Sequence, residues 1–240
     1  ALMIRFGPSG NSKSFYAQGY SSTVEAPAWL NGLGLNAFEY SFGRGVRLKN
    51  DTALAIAKEA RRVDIQLSVH MPYFINLAAT EPEKRQKNIV YFLDSLKAAS
   101  HLGAVRAVFH PGSALGGTRG EILARAKAFL KEIIAQVDAA GFGGITLCPE
   151  TMGKINQLGS LEEVIVLCQV DERLIPTIDF GHLHCRSMGA LQTKEDYAMI
   201  LDKLTNGVGR ERTHALHIHF SRMEFTKGGE KMHHRLQDTE

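Results

Sequence analysis

No stretch of the 240-residue chain approaches the roughly 20 uninterrupted apolar residues that a membrane span needs, and its first residues lack a basic segment followed by an apolar one. A soluble, cytoplasmic protein is the expectation. Cysteine is scarce: Cys148, Cys168 and Cys185 are odd in number and lack C-x-x-C spacing, which argues against a disulfide framework. Excess charge of one sign is missing as well. Twenty-eight Lys and Arg against 25 Asp and Glu leave +3, which admits an anionic partner but excludes the strongly basic balance that announces nucleic acid. With 44% hydrophobic and 22% charged residues the composition is that of a globular domain with a full core, so a disordered or fibrous chain is excluded. No Pro/Ser-rich linker or charge block divides the sequence, and a single domain over residues 1–240 is expected.

Two common catalytic signatures are absent too. The glycine-rich run Gly112-Ser113-Ala114-Leu115-Gly116-Gly117 has no Lys-Ser/Thr after it and reads as a β-α loop, not a phosphate-binding P-loop. No G-x-S-x-G elbow occurs.

What is present is a regular alternation of short apolar runs and longer amphipathic stretches, the pattern of β-α units around a parallel sheet. Strands are expected at residues 4–7, 37–40, 65–69, 105–109, 145–147, 175–178 and 215–218, with helices at about 23–33, 52–63, 82–102, 119–140, 161–169 and 194–204. Gly103 and Gly141 mark two helix ends, because glycine takes the left-handed closing conformation at little cost. Seven units predict an α/β fold of the TIM (β/α)8-barrel type, which has eight strands and about 250 residues. No eighth unit is evident, since residues 227–240 form a polar, glycine-rich tail without an apolar run. Either the barrel closes atypically or the chain is part of a longer product; a doubly wound open sheet is the alternative fold.

The ten histidines carry the functional signal. Barrel enzymes build their active sites at the C-terminal ends of the strands, and there the chain places His70, His110, Glu150, Asp179 with His182, and His217 with His219. One buried histidine is usually a hydrogen-bonded core residue; imidazoles and carboxylates at five successive strand ends must share one rim. Such a mixed set is a zinc or manganese ligand set of the open, catalytic kind. It exceeds what one tetrahedral ion requires, so two or three ions are expected. A bridging carboxylate suits phosphodiester hydrolysis, and the same rim would equally suit a sugar isomerase. Tyr73 and Phe74 could line a substrate groove, and Arg44 and Arg47 could clasp phosphates. His101, His184, His214 and His234 have no matching partner group and read as structural or solvent-facing.

At these residues the chain resembles the endonuclease IV family of apurinic/apyrimidinic endonucleases, within the xylose-isomerase-like TIM barrels. The likeness runs from Met3 to His233. It is carried by His70 with Tyr73-Phe74-Ile75-Asn76-Leu77, by His110-Pro111-Gly112-Ser113, Pro149-Glu150-Thr151, Ile178-Asp179-Phe180-Gly181-His182 and Leu216-His217-Ile218-His219. The resemblance implies a three-zinc hydrolase that cuts the DNA backbone at abasic sites. By it, His70, His110 and Glu150 hold the first ion, Glu150 bridges as the catalytic carboxylate to a second ion held by Asp179 and His217, and His182 and His233 serve the third. Tyr73 would meet the DNA at the lesion, with abasic DNA the partner and a monomer the working form. The family's third-ion motif is Asp-x-His, whereas Lys231 stands two residues before His233, with Glu230 beside it as the candidate substitute. The family's last carboxylate ligand, from the eighth strand, has no counterpart. A metal-dependent sugar isomerase or epimerase, and a catalytically inactive DNA-damage binding module, are the alternative functions.

Overall fold

The structure, a computed structural model, describes residues 3–234. Its helices are α1 (Lys13–Ala17), α2 (Ala26–Gly32), α3 (Asn50–Arg62), α4 (Pro82–Leu102), α5 (Arg119–Ala139), α6 (Leu161–Cys168), α7 (Phe180–Arg186), α8 (Lys194–Val208) and α9 (Arg210–His214). Its strands are β1 (Ala37–Ser41), β2 (Gln66–His70), β3 (Arg106–Phe109), β4 (Gly112–Ser113), β5 (Thr146–Pro149), β6 (Gln157–Leu158), β7 (Thr177–Asp179), β8 (His217–His219), β9 (Arg222–Thr226) and β10 (Gly229–His234). The chain divides into two compact units, one holding the described residues up to 73 with 89–108 and 136–146, the other holding 74–88, 109–135 and 147 onward. No helix among the described residues is long and apolar enough to cross a membrane.

In the first unit, β1 and β2 are parallel with Ser41 opposite His70, and the first residues of β3 follow β2 in the same sense. The register brings the C-terminal ends of β1 and β2 level. Helix α3 buries Ala53, Ile56, Ala57 and Ala60, a stripe at helical spacing, and carries Asp51 in its first turn and Arg61 and Arg62 in its last, each complementing the helix dipole. Residues 4–7, expected as a strand, form no ladder. Phe6 O accepts from Asn36 and Ala37, and only Ser9 bridges β1, at Glu39. Gly7 makes this approach feasible, since a Cβ there would fall 1.6 Å from the Ala37 carbonyl oxygen.

In the second unit, β7 and β8 are parallel with Asp179 opposite His219, and Glu150 bridges Thr177 in the same sense. Glu150 N donates to Phe109 O, and Thr151 N to Thr177 O, both at 3.0 Å. These bonds put His110, Glu150, Asp179 and His219 just at or beyond neighbouring strand ends. The core beneath is apolar: Phe109, Ile122, Phe129, Leu130, Val164 and Leu167 are buried. Helices α6 and α8 each open on a capping box, Ser160 with Glu163 and Thr193 with Asp196. The tail departs from expectation. Residues 222–234 form an antiparallel hairpin of β9 and β10, whose polar faces bury too little apolar surface to show as strand-like alternation; residues 235–240 of the expected tail lie outside the described residues.

Candidate metal centre

Glu150 is the middle of the second unit's polar cluster. It is 1% exposed, with Asp179 and His182 at 3% and 4%, and acids this deep are costly unless paired or cation-bound. The two oxygens of Glu150 face different imidazoles: Oε2 is 3.2 Å from His110 Nε2, and Oε1 is 2.8 Å from His219 Nδ1. A carboxylate turned this way is arranged as a bridging ligand. Asp179 Oδ2 lies 3.4 Å from His182 Nδ1 and 4.0 Å from His219 Nδ1, and Glu150, Asp179 and His219 can offer ligand atoms to one ion. Burial pushes the Asp179 carboxyl above the usual carboxylate range; His182 works against that shift and the neighbouring Glu150 charge reinforces it. A buried acid whose proton affinity a second buried carboxylate raises marks a site short of positive charge, which a divalent cation would relieve.

Asp179 also has a local role. Its Oδ1 accepts the backbone N–H of His182 at 2.8 Å as the N-cap of α7. That cap fixes where His182 leaves the helix. Thr151 O lies 2.8 Å from His182 Nδ1; a carbonyl only accepts, so Nδ1 carries the proton and Nε2 is the lone-pair nitrogen of the neutral ring. His182, Glu230 and His233 then form a second cluster able to hold an ion. Glu230 is held below the usual carboxylate range by its hydrogen bond to His233, against burial, and the same bond raises His233 above the usual histidine range.

The loop that bears His110 is braced from its own unit. Asn76 Oδ1 accepts from Ala78 N and from Ser113 N, both at 3.0 Å, Leu77 N donates to Pro111 O at 2.8 Å, and buried Asn88 accepts from Asn76 N at 2.6 Å. The Asn76-Leu77 and His110-to-Ser113 motifs are therefore one structural device.

In the first unit, His70 ends β2 and is 6% exposed. Its Nδ1 lies 2.8 Å from Met71 O, which again makes Nε2 the lone-pair nitrogen. Tyr73 packs edge-on against the imidazole at 5.2 Å and its hydroxyl lies 3.0 Å from Ser41 Oγ; the residue is half exposed. Arg44 and Arg47 are exposed in the loop after β1. Sequence reasoning passed over Glu39, which is 5% exposed and accepts from Ser9 Oγ at 2.9 Å and Ser68 Oγ at 3.4 Å. The available signal was an acid inside an otherwise apolar strand. It also left His219 out of the ligand set in favour of His217, although in this unit it is His219 that meets Glu150. The three cysteines are buried and form no disulfide among the described residues, and burial drives the Cys168 thiol far up and that of Cys185 to about 11, so neither of these two is a ready thiolate ligand.

The family described as xylose isomerase-like TIM barrel matches residues 27–238, and the chain belongs to it. Among individual proteins, it is 33% identical over 238 residues to an uncharacterized protein of Methanocaldococcus jannaschii, covering 99% of this chain and 84% of that one. It is 29% identical over 181 residues to a probable endonuclease 4 of Acholeplasma laidlawii, covering 74% of this chain but only 60% of the relative. The crystal structure of endonuclease IV from Thermus thermophilus is similar with a TM-score of 0.63 at 25% identity, over 87% of this chain and 74% of that one. A D-psicose 3-epimerase shares the fold at a TM-score of 0.65 and 15% identity, over 84% and 68% of the two chains.

Proposed function

We propose that the chain is a zinc-dependent phosphodiesterase of the endonuclease IV kind, which hydrolyses the DNA backbone at abasic sites, acts as a monomer in the cytoplasm, and could take manganese in place of zinc. The observation that carries this reading is the Glu150 carboxylate, with His110 on one oxygen, His219 on the other, and buried Asp179 beside it. The donor set of imidazole nitrogens and carboxylate oxygens fits zinc, and the absence of thiolate donors fits a catalytic centre over a structural one. His110 with Glu150 would hold one ion, and His70 would be a metal ligand at the end of β2 in its own unit. Glu150 and Asp179, with the His217–His219 pair, would hold a second, and His182 with His233 a third. Ions held at this rim supply Lewis acidity, neutralising the charge that builds on a phosphodiester as it is cleaved.

The chain's own residues set up that chemistry. Glu150 is the catalytic carboxylate because its two oxygens serve two ligand sets at once. Asp179 aims His182 through the α7 cap, and the Met71 and Thr151 carbonyls fix the tautomers of His70 and His182. Tyr73 and Arg44 would contact the DNA, the one as an exposed ring beside a ligand, the other as a phosphate-directed cation. The endonuclease 4 relatives and the Thermus structure support this substrate over a sugar, since the epimerase likeness is one of fold. The test is cleavage of a duplex containing one abasic site. Zinc-loaded protein should nick it, and Glu150→Gln and His110→Ala should each lower the rate by 100-fold or more. Zinc-replete protein that leaves the duplex intact yet epimerises a ketose would overturn the assignment.

A further inference from the structure

In the second unit, every residue from Met152 to Gln157 has its carbonyl group hydrogen-bonded, although the segment forms no helix. Gly153 O accepts from Glu230 N at 3.2 Å and Asn156 O from Ala114 N at 2.8 Å. The other four close on two guanidinium groups. Arg186 Nη1 donates to Met152 O at 3.3 Å, Lys154 O at 2.9 Å and Gln157 O at 3.2 Å, and its Nη2 donates to Gln157 O at 3.2 Å. Arg119 donates to Ile155 O at 2.8 Å and Gln157 O at 3.0 Å. Buried carbonyls need donors, and a turn has few of its own to give; a planar cation with five N–H donors and no acceptor supplies them.

We propose that Arg186 is a positioning residue of the metal centre: its guanidinium is the core of the 152–157 turn, and through that turn it sets where α7 and the β9–β10 hairpin hold their imidazoles. Two connections carry this. On the α7 side, Arg186 follows His182 by four residues, so the two side chains leave the helix on one face. His182 Nδ1 lies 2.8 Å from Thr151 O, and Arg186 takes the next carbonyl, that of Met152. The helix therefore grips the segment after Glu150 at two successive residues. On the hairpin side, the same turn is the support: Gly153 O accepts Glu230 N, Ile155 N donates to Gly228 O at 3.3 Å, and Lys154 bridges Gly229. Arg186 is largely buried and shares Glu163 with Arg119, its Nη2 lying 3.9 Å from Glu163 Oε2. One carboxylate thus faces two guanidiniums, and the turn's carbonyl dipoles supply the remaining negative potential. Arg186 also lines a cavity of about 380 Å³ together with Leu161, Leu183, Ile200 and Lys203. Truncating Arg186 would extend that cavity toward the vacated carbonyls.

The proposal rests on the zinc reading for its metal readout, and a second readout stands apart from it. Arg186→Ala and Arg186→Lys are compared with the wild-type full chain by Co(II) titration and by amide hydrogen exchange of the apoprotein. In Arg186→Ala, Co(II) affinity should fall about 10-fold, as it does when outer partners of metal ligands are lost. The amides of Ile155 and Glu230, which tie the hairpin to the turn, should exchange faster while those of α5 keep wild-type rates. Millimolar methylguanidinium, entering by the cavity, should restore both properties, and methylammonium neither. Arg186→Lys should resemble Arg186→Ala, because an ammonium is a point charge without the planar fork; should the alanine variant fail to fold, the lysine variant carries both readouts. Wild-type affinity and amide protection in either variant would overturn the proposal. So would exchange accelerated evenly across the second unit without rescue, which marks a general loss of stability, or equal rescue by methylammonium. A wild-type chain that binds no Co(II) would instead overturn the zinc reading, and the exchange rates would still decide whether Arg186 holds the hairpin in place.

Discussion

At the scale of single residues, the second unit is organised by charged groups that serve the backbone. Glu163 accepts from Gly159 N at 2.8 Å and Ser160 N at 3.0 Å while Arg119 grips it with Nε and Nη2, at 2.7 and 2.8 Å. Arg119 in turn donates to Ile155 O and Gln157 O, and Arg186 to Lys154 O. The segment that follows Glu150 is thereby clamped from two sides. Burial pushes the Glu163 carboxyl up, but Arg119 and the two backbone N–H groups outweigh it, so the acid sits below its ordinary value of 4.5. A depressed carboxylate adds stability that is complete above the unfolded pKa and fades as pH falls through the folded one. Glu163→Gln should therefore unfold more easily by about 1.5–3 kcal/mol at neutral pH, the usual cost of losing hydrogen bonds to a charged group. The difference from wild type, read as denaturation midpoints across pH 3 to 8, should hold above pH 5 and shrink below about 4.5; a difference that grows on acidification would contradict the assignment.

At the scale of elements, the sequence was most legible where helix ends carry local signals. The expected spans for α4, α5 and α6 match to within a residue, because Pro82, the Ser160 capping box and the Gly103 and Gly141 ends are chemical signals independent of tertiary context. The hairpin was not legible. Its strands carry charged and imidazole side chains that answer to Gly153 and His182, partners remote in sequence, and a bulge breaks the two-residue period. Residues 4–7 failed for the opposite reason: their apolar run suggests a buried strand, yet Ile4 and Phe6 are 73% and 65% exposed. Among loops, the one carrying His110 offers a sharp test. Gly112 has φ +121°, and a Cβ there would fall 2.2 Å from Asn76 Oδ1. Gly112→Ala should cost more than the roughly 1 kcal/mol typical of an arbitrary substitution, and Asn76→Ala, which strands two backbone N–H groups, about 1–3 kcal/mol. Both should weaken metal binding without altering a ligand; calorimetric titration returning wild-type affinity for both would show that the brace has no part in placing His110.

At the scale of the whole molecule, the barrel fold was legible in the sequence because its β-α repeats alternate regularly, and within the second unit Glu150 and Asp179 stand where a strand stops. What sequence could not convey is which of the two histidines on one face of β8 meets Glu150, since that depends on the register of β8 against β7. Ions bound only by the folded chain stabilise it: at a thousandfold excess over Kd the gain is about 4 kcal/mol, or about 8–16 °C in Tm for a chain of this size. Exhaustive chelation should lower Tm by that order and zinc should restore it. The most direct test of the central claim, that these imidazoles and acids hold divalent ions, is the metal content of the purified protein by elemental analysis, alongside Glu150→Gln. Two or three equivalents of zinc per chain, falling by at least one in the variant, is the expected result; less than half an equivalent after zinc loading, or content indifferent to Glu150, would contradict it.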